Sequence, residues 1–199
     1  MVPPRSGFDT AAYTVSVDAV PWVRVCAAFA ARHGHPWRAE DTAALHGNGR
    51  WTAYVAGLCG GAADPAEVVE ASATAATGEV AAGRVPAALP GAVDLVLEAP
   101  RHGPVGLATA SPRRFVLAVL DGLGLSGRLS DVVCGEDVAR AKPAPDPYVR
   151  AAAEIGVPPS RRLAVEDAPN GIRSATAALP LLTRLLAPHP GPLVPEGTV

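Results

Sequence analysis

The sequence predicts an α/β fold: a parallel sheet covered by helices on both faces, with a small helical unit inserted near its start. Three observations predict it. Past Pro90-Gly91 the chain alternates short apolar strands with helices. Before that point, residues about 18 to 86 read as helices with no strand among them. Finally, Thr109, Gly135 and Glu166-Asp167 fall at the ends of predicted strands, where ligands of such sheets gather.

Taken in order, Met1 to Gly7 is proline-rich and makes a poor central strand, since proline cannot donate to a ladder. Thr10 to Val15 is β-prone enough for a short strand or hairpin. From Asp18 to His33 the apolar spacing is helical, and Gly34 stops it. Ala39 to Leu45, Trp51 to Leu58 and Pro65 to Gly83 continue the helical unit, with Gly60-Gly61 as a break. Helices then follow at Ala92 to Ala99, Pro112 to Leu123, Asp146 to Ile155 and Ala168 to Ala178. The strands between them are Pro104 to Ala108, Asp131 to Cys134 and Arg162 to Val165. Leu181 to Leu186 reads as an edge strand, and the proline-rich tail from Pro188 to Pro195 as loosely attached.

Composition narrows the function. A chain of 199 residues with 49% apolar side chains is ordinary for a globular protein and long enough for a sizeable core. A net charge of -2 gives no general attraction to nucleic acid or to an anionic membrane. No apolar run approaches a membrane span, and no signal-peptide core opens the chain. Cys26, Cys59 and Cys134 lack the paired spacings of zinc or redox sites and read as buried, reduced thiols of a cytoplasmic protein.

Lys142 is the only lysine in a chain that otherwise uses arginine. A compact ammonium suits a phosphoryl oxygen or an aspartyl nucleophile, and Pro143 and Pro145 stiffen the segment that carries it. Asp9 is a carboxylate able to attack phosphorus, Thr109 and Lys142 can hold phosphoryl oxygens, and Asp9 with Asp167 can bind a hard divalent cation. Singly, Thr109 serves equally as a helix cap, Asp167 as a loop carboxylate and Asp9 as a turn former. Their order along the chain and their place at strand ends favour the chemical reading.

Three stretches carry a resemblance. Leu107 to Ser111, Gly135 through Lys142-Pro143-Ala144-Pro145-Asp146, and Val165-Glu166-Asp167-Ala168-Pro169-Asn170-Gly171-Ile172 are similar to the second, third and fourth motifs of the haloacid dehalogenase superfamily. Within it they most resemble the β-phosphoglucomutase-like and sugar phosphatase branch. The resemblance implies a three-layer, Rossmann-type core over 1–17 and 87–199 with a helical cap over 18–86, inserted after the first strand. It implies a Mg²⁺-dependent hydrolase acting on a small phosphorylated metabolite, with Asp9 as nucleophile and Thr109 and Lys142 as catalytic clamp. Asp9, the backbone of Ala11, Glu166 and Asp167 would hold the metal. Ala110 and Ser111 would contact substrate, as would Asn48 and Arg50 of the loop His46-Gly47-Asn48-Gly49-Arg50, where Arg50 reads equally as a solvated helix start. The expected assembly is a monomer or weak homodimer.

The first motif departs from the family pattern. Where the family has a second aspartate two residues after the nucleophile, this chain has Ala11. In the family that aspartate is the general acid/base, whose loss costs on the order of 10²- to 10⁴-fold. Tyr13 is a poor substitute, because an unperturbed phenol titrates at about 10. Phosphonoacetaldehyde hydrolases also have alanine there but need a cap lysine, absent here; the dehalogenases replace the aspartate too but work without a metal. The expectation is a phosphatase of weak activity, with a non-catalytic binder of a phosphorylated ligand or protein partner as the alternative.

Overall fold

The computed structural model describes residues 11–13, 20–45, 50–157, 162–166 and 168–185. Four parallel strands form one sheet in the order β3-β2-β1-β4. They are β1 (Ala11–Tyr13), β2 (Val105–Ala108), β3 (Asp131–Val133) and β4 (Ala164–Val165).

The first helices are α1 (Val20–Arg32), α2 (Ala39–Leu45), α3 (Trp51–Leu58) and α4 (Pro65–Ala81). They share a core of Cys26, Phe29, Leu45, Trp51, Val55, Cys59 and Val68. Among the described residues from 20 to 81 there is no strand. Asp64 caps α4 by accepting the Glu67 N–H at 2.8 Å, with Pro65 at the first helical position.

The sheet is covered on both faces by α5 (Ala92–Glu98), α6 (Arg113–Gly122), α7 (Asp146–Glu154) and α8 (Pro169–Leu185). Strand alternation divides the work. Leu107 packs with Val96, Val116 and Leu120 of α5 and α6, whereas its neighbour Ala108 packs with Tyr148, Ala151 and Ala178 of α7 and α8. The α/β, three-layer parallel architecture is as the sequence predicts.

Two elements differ. The chain beyond Ala178 continues α8 to Leu185 instead of forming an edge strand at Leu181 to Leu186. No glycine stands between Ala178 and Leu185 to supply a left-handed stop, and leucine is a good helix former. The strand expected within Thr10 to Val15 is present as β1 and is central, paired with β2 on one side and β4 on the other, but it begins after Asp9, which therefore does not stand at its carboxyl end as expected.

Candidate active site

Parallel strands point their carboxyl ends the same way, so the turns after β2, β3 and β4 share one edge of the sheet. Thr109 follows β2 and keeps the ladder going by donating its N–H to the Val133 carbonyl at 2.9 Å. Its hydroxyl oxygen accepts the Ser111 N–H at 3.1 Å, which leaves the Thr109 O–H to donate. Gly135 comes so close that a Cβ there would stand 2.7 Å from the Ala110 carbonyl oxygen, and its N–H donates to Ser111. Only glycine allows the turns after β2 and β3 to meet in this way.

Arg113, at the start of α6, holds the same corner. Its guanidinium donates to the Val132 carbonyl and to Asp137, and Asp137 accepts the Cys134 N–H at 2.6 Å. Lys142 lies further along this loop. Arg140 closes the loop with a two-pronged bond to Asp146, and Ser174 of α8 donates to the Ala144 carbonyl at 2.5 Å.

At the end of β4, Glu166 meets Lys142. The ammonium lies 2.5 Å from Glu166 Oε2, and the Tyr148 hydroxyl donates to that same oxygen at 2.6 Å. The Lys142 and Glu166 side chains are only 8% and 5% exposed. Glu166 Oε1 accepts the Ala168 N–H at 3.2 Å. A Cβ on Gly171 would stand 2.0 Å from the Glu166 carboxyl carbon, so this glycine leaves the room in which the carboxylate sits. Sequence reasoning missed Tyr148, Gly171 and Ser174. The available signal for Tyr148 was an aromatic hydroxyl on the apolar face of a short amphipathic helix, which needs a buried partner.

The structure thus brings Lys142 and Glu166 into contact and puts Thr109, Ala110 and Ser111 at the same sheet edge. Asp9, Asn48 and Asp167 lie outside the described residues. Arg50 is exposed and precedes the first turn of α3. Ala11 is not brought to that edge. It pairs with Val105, four residues before Thr109, a strand rise of about 13 Å.

A divalent cation needs oxygen donors that remain after the protein's own hydrogen bonds are made. Both Glu166 oxygens accept protein donors, Ala11 stands too far back along β1, and among the described residues no three His, Cys, Asp or Glu converge. The described donors alone do not fit such a cation. Cysteine chemistry has no footing either: burial pushes the Cys26 and Cys134 thiols up to about 12.

A second polar cluster lies among the first helices. Asp41, 2% exposed, accepts from the Tyr54 hydroxyl at 2.7 Å and from the Arg38 N–H at 2.8 Å, and pairs with the His35 ring at 3.0 Å. The His35 contact is the main cause that holds the Asp41 carboxyl down at about 2, against the opposing effect of burial.

Comparison with known proteins gives a consistent picture. The sequence model of the family described as haloacid dehalogenase-like hydrolase matches residues 12–178, a span that begins after Asp9 and Ala11 and includes Thr109, Lys142 and Glu166. Phosphoglycolate phosphatase of Escherichia coli K12 is 40% identical over 75 residues, 38% of this chain and 30% of that protein. Validoxylamine A 7'-phosphate phosphatase of Streptomyces hygroscopicus subsp. limoneus is 33% identical over 96 residues, 48% of this chain and 45% of that protein. The matched stretches therefore span less than half the length of these curated relatives. Among solved structures, CbbY from Rhodobacter sphaeroides in complex with phosphate superposes with a TM-score of 0.73 at 26% identity, covering 85% of this chain and 82% of that one. The β-phosphoglucomutase of Clostridium difficile, at 18% identity over 86% of this chain and 81% of its own, shares the fold with a TM-score of 0.72.

Proposed function

The chain belongs to the haloacid dehalogenase-like hydrolase family, and from that premise we propose that it is a phosphatase-type hydrolase of a small phosphorylated metabolite. The observation that carries the proposal is the buried Lys142 ammonium, held against Glu166 at the end of β4, on the sheet edge that the turn after β2 shares. A phosphoryl group bears negative charge on all its non-bridging oxygens, and a desolvated ammonium offsets that charge more strongly than a solvated one does. In this proposal Lys142 and the Thr109 O–H hold two phosphoryl oxygens, and Ala110 and Ser111 line the same turn. Asp9 as the attacking carboxylate is what the resemblance implies, and the register of β1 does not support it: Ala11, two residues later in the chain, already pairs with Val105, about 13 Å short of Thr109. Residues 18–86 form the cap that closes over the substrate, with Asn48 and Arg50 as its contacts, and 1–17 with 87–199 form the core.

A Mg²⁺ ion enters this proposal through Asp167, with Asp9 as the second carboxylate only on the resemblance; when bound it would offset the charge of the transferring group. Alanine replaces the family's acid/base at position 11, and the register of β1 keeps that position back from the edge at Thr109, so the proposed turnover is slow. That substitution also supports a second reading, a protein that binds a phosphorylated ligand without turning it over.

The experiment is a phospho-metabolite panel, with p-nitrophenyl phosphate as reference, run with Mg²⁺ and with a chelator. Slow, chelator-sensitive phosphate release is the expected result. Binding of phosphate with no release from any ester would establish the second reading, and neither binding nor release would sink both.

A further inference from the structure

We infer that Tyr148 and Glu166 are positioning residues that aim the Lys142 ammonium, and that Glu166 serves this ammonium instead of a metal ion. The inference rests on the phosphoryl-clamp reading of Lys142 and assigns what stands behind it.

An ammonium has three N–H donors that rotate together about one bond. One of them is fixed on Glu166 Oε2 at 2.5 Å. The Tyr148 oxygen stands 3.5 Å from the same nitrogen, and the Tyr148 ring centroid lies 4.9 Å from it, so the ring flanks the ammonium. With one donor fixed and one side flanked, the remaining donors have a set direction. Glu166 is fixed in turn. Its Oε2 also accepts the Tyr148 hydroxyl at 2.6 Å, and its Oε1 accepts the Ala168 N–H at 3.2 Å. Gly171 leaves no Cβ where the carboxylate sits.

The backbone that carries Lys142 is equally constrained. Ala144 N–H turns back to the Ala141 carbonyl, Ser174 holds the Ala144 carbonyl, and Arg140 grips Asp146 across the loop. A carboxylate with both oxygens engaged by protein donors, and with its charge matched by a buried ammonium in contact, has little to offer a divalent cation. Tyr148 also packs on Ala108 and Ala178, but a phenylalanine would fill that space equally well. Its hydroxyl is there for Glu166.

The test uses the whole chain and two probes, inorganic phosphate and MgCl₂, titrated by calorimetry into the native protein and into Lys142→Ala, Tyr148→Phe and Glu166→Gln, each with a thermal melt. Tyr148→Phe is expected to weaken phosphate binding about three- to tenfold, since it loses one hydrogen bond to a charged group, and to leave Mg²⁺ affinity within about twofold. Glu166→Gln is expected to weaken phosphate by more than about tenfold and again to spare Mg²⁺. If Glu166→Gln does not fold, Tyr148→Phe decides alone, because it preserves the packing. Phosphate affinity unchanged in Tyr148→Phe but abolished in Lys142→Ala would overturn the inference and leave the clamp standing. Mg²⁺ affinity lost in Glu166→Gln, with phosphate affinity kept, would make Glu166 a metal ligand and overturn it too. Phosphate binding that survives Lys142→Ala would remove the clamp itself.

Discussion

At the scale of single residues, the open question is which carboxylate attacks. Asp9 precedes β1 in the chain, and Asp18 is the next carboxylate after it. If Asp9 is the nucleophile that the resemblance implies, Asp9→Asn lowers p-nitrophenyl phosphate hydrolysis by more than about 100-fold while Asp18→Asn changes it little, a contrast typical of losing a covalent nucleophile. The reverse pattern in steady-state rates would move the nucleophile to the far side of the strand. The site was partly legible here. A lone lysine among arginines marked Lys142, and the turn residues around it marked a built loop. What eluded sequence reasoning was pairing: Glu166 reads as a metal partner until its contacts are known, and nothing in the spacing of Tyr148 and Glu166 announces that one hydroxyl serves the other.

At the scale of elements, β1 is the instructive case. Ala11-Ala12-Tyr13 lies in a segment β-prone enough for a short strand, but its central place comes from β2 and β4, which pair with it from both sides. Helices such as α2 and α3 were readable to the residue, since their apolar spacing and flanking Gly and Pro are local signals. Strand membership is not local. The register carries its own prediction. Ala12 pairs with Gly106 and with Ala164, so a carboxylate at position 11 enters a central strand, not the edge where Thr109 stands. Ala11→Asp is therefore expected not to restore hydrolysis and to lower stability by roughly 1–3 kcal/mol, read by urea unfolding. A tenfold gain in rate would refute this register. Between α2 and α3, the Tyr54 bond to Asp41 is worth about 1.5 kcal/mol as a hydrogen bond to a charged group, so Tyr54→Phe should show that loss at neutral pH. The folded Asp41 carboxyl titrates at about 2 against an ordinary 3.8, so its contribution is complete above 3.8 and is lost as pH falls through about 2. A melting curve for Tyr54→Phe that matches the native one near neutral pH would show that the bond adds nothing.

At the scale of the molecule, α6 joins the two halves. Val116 and Leu120 face the sheet, while Phe115 and Val119 pack with Ala76, Trp22 and Val25 of the first helices. Trp22 lies 5.0 Å from Phe115, ring centre to ring centre. Arg114 adds an exposed contact to Glu70. A sequence shows that such a helix is amphipathic but does not show that its apolar side is two stripes serving two cores, because Phe115 and Val116 are neighbours in the chain. Phe115→Ala is expected to cost about 3–5 kcal/mol and to uncouple the halves, so that calorimetry shows two transitions where the native chain shows one. A single transition with an unchanged midpoint would mean that the junction is not a shared core.

The Ser174 bond to Ala144 ties the lysine loop to α8 at a point well inside that helix. Helices unwind from their ends, and about three turns separate this serine from Leu185. Warming can therefore erode much of α8 before the grip on the loop slackens, so anion affinity should hold nearly constant over a range in which helical signal is already falling.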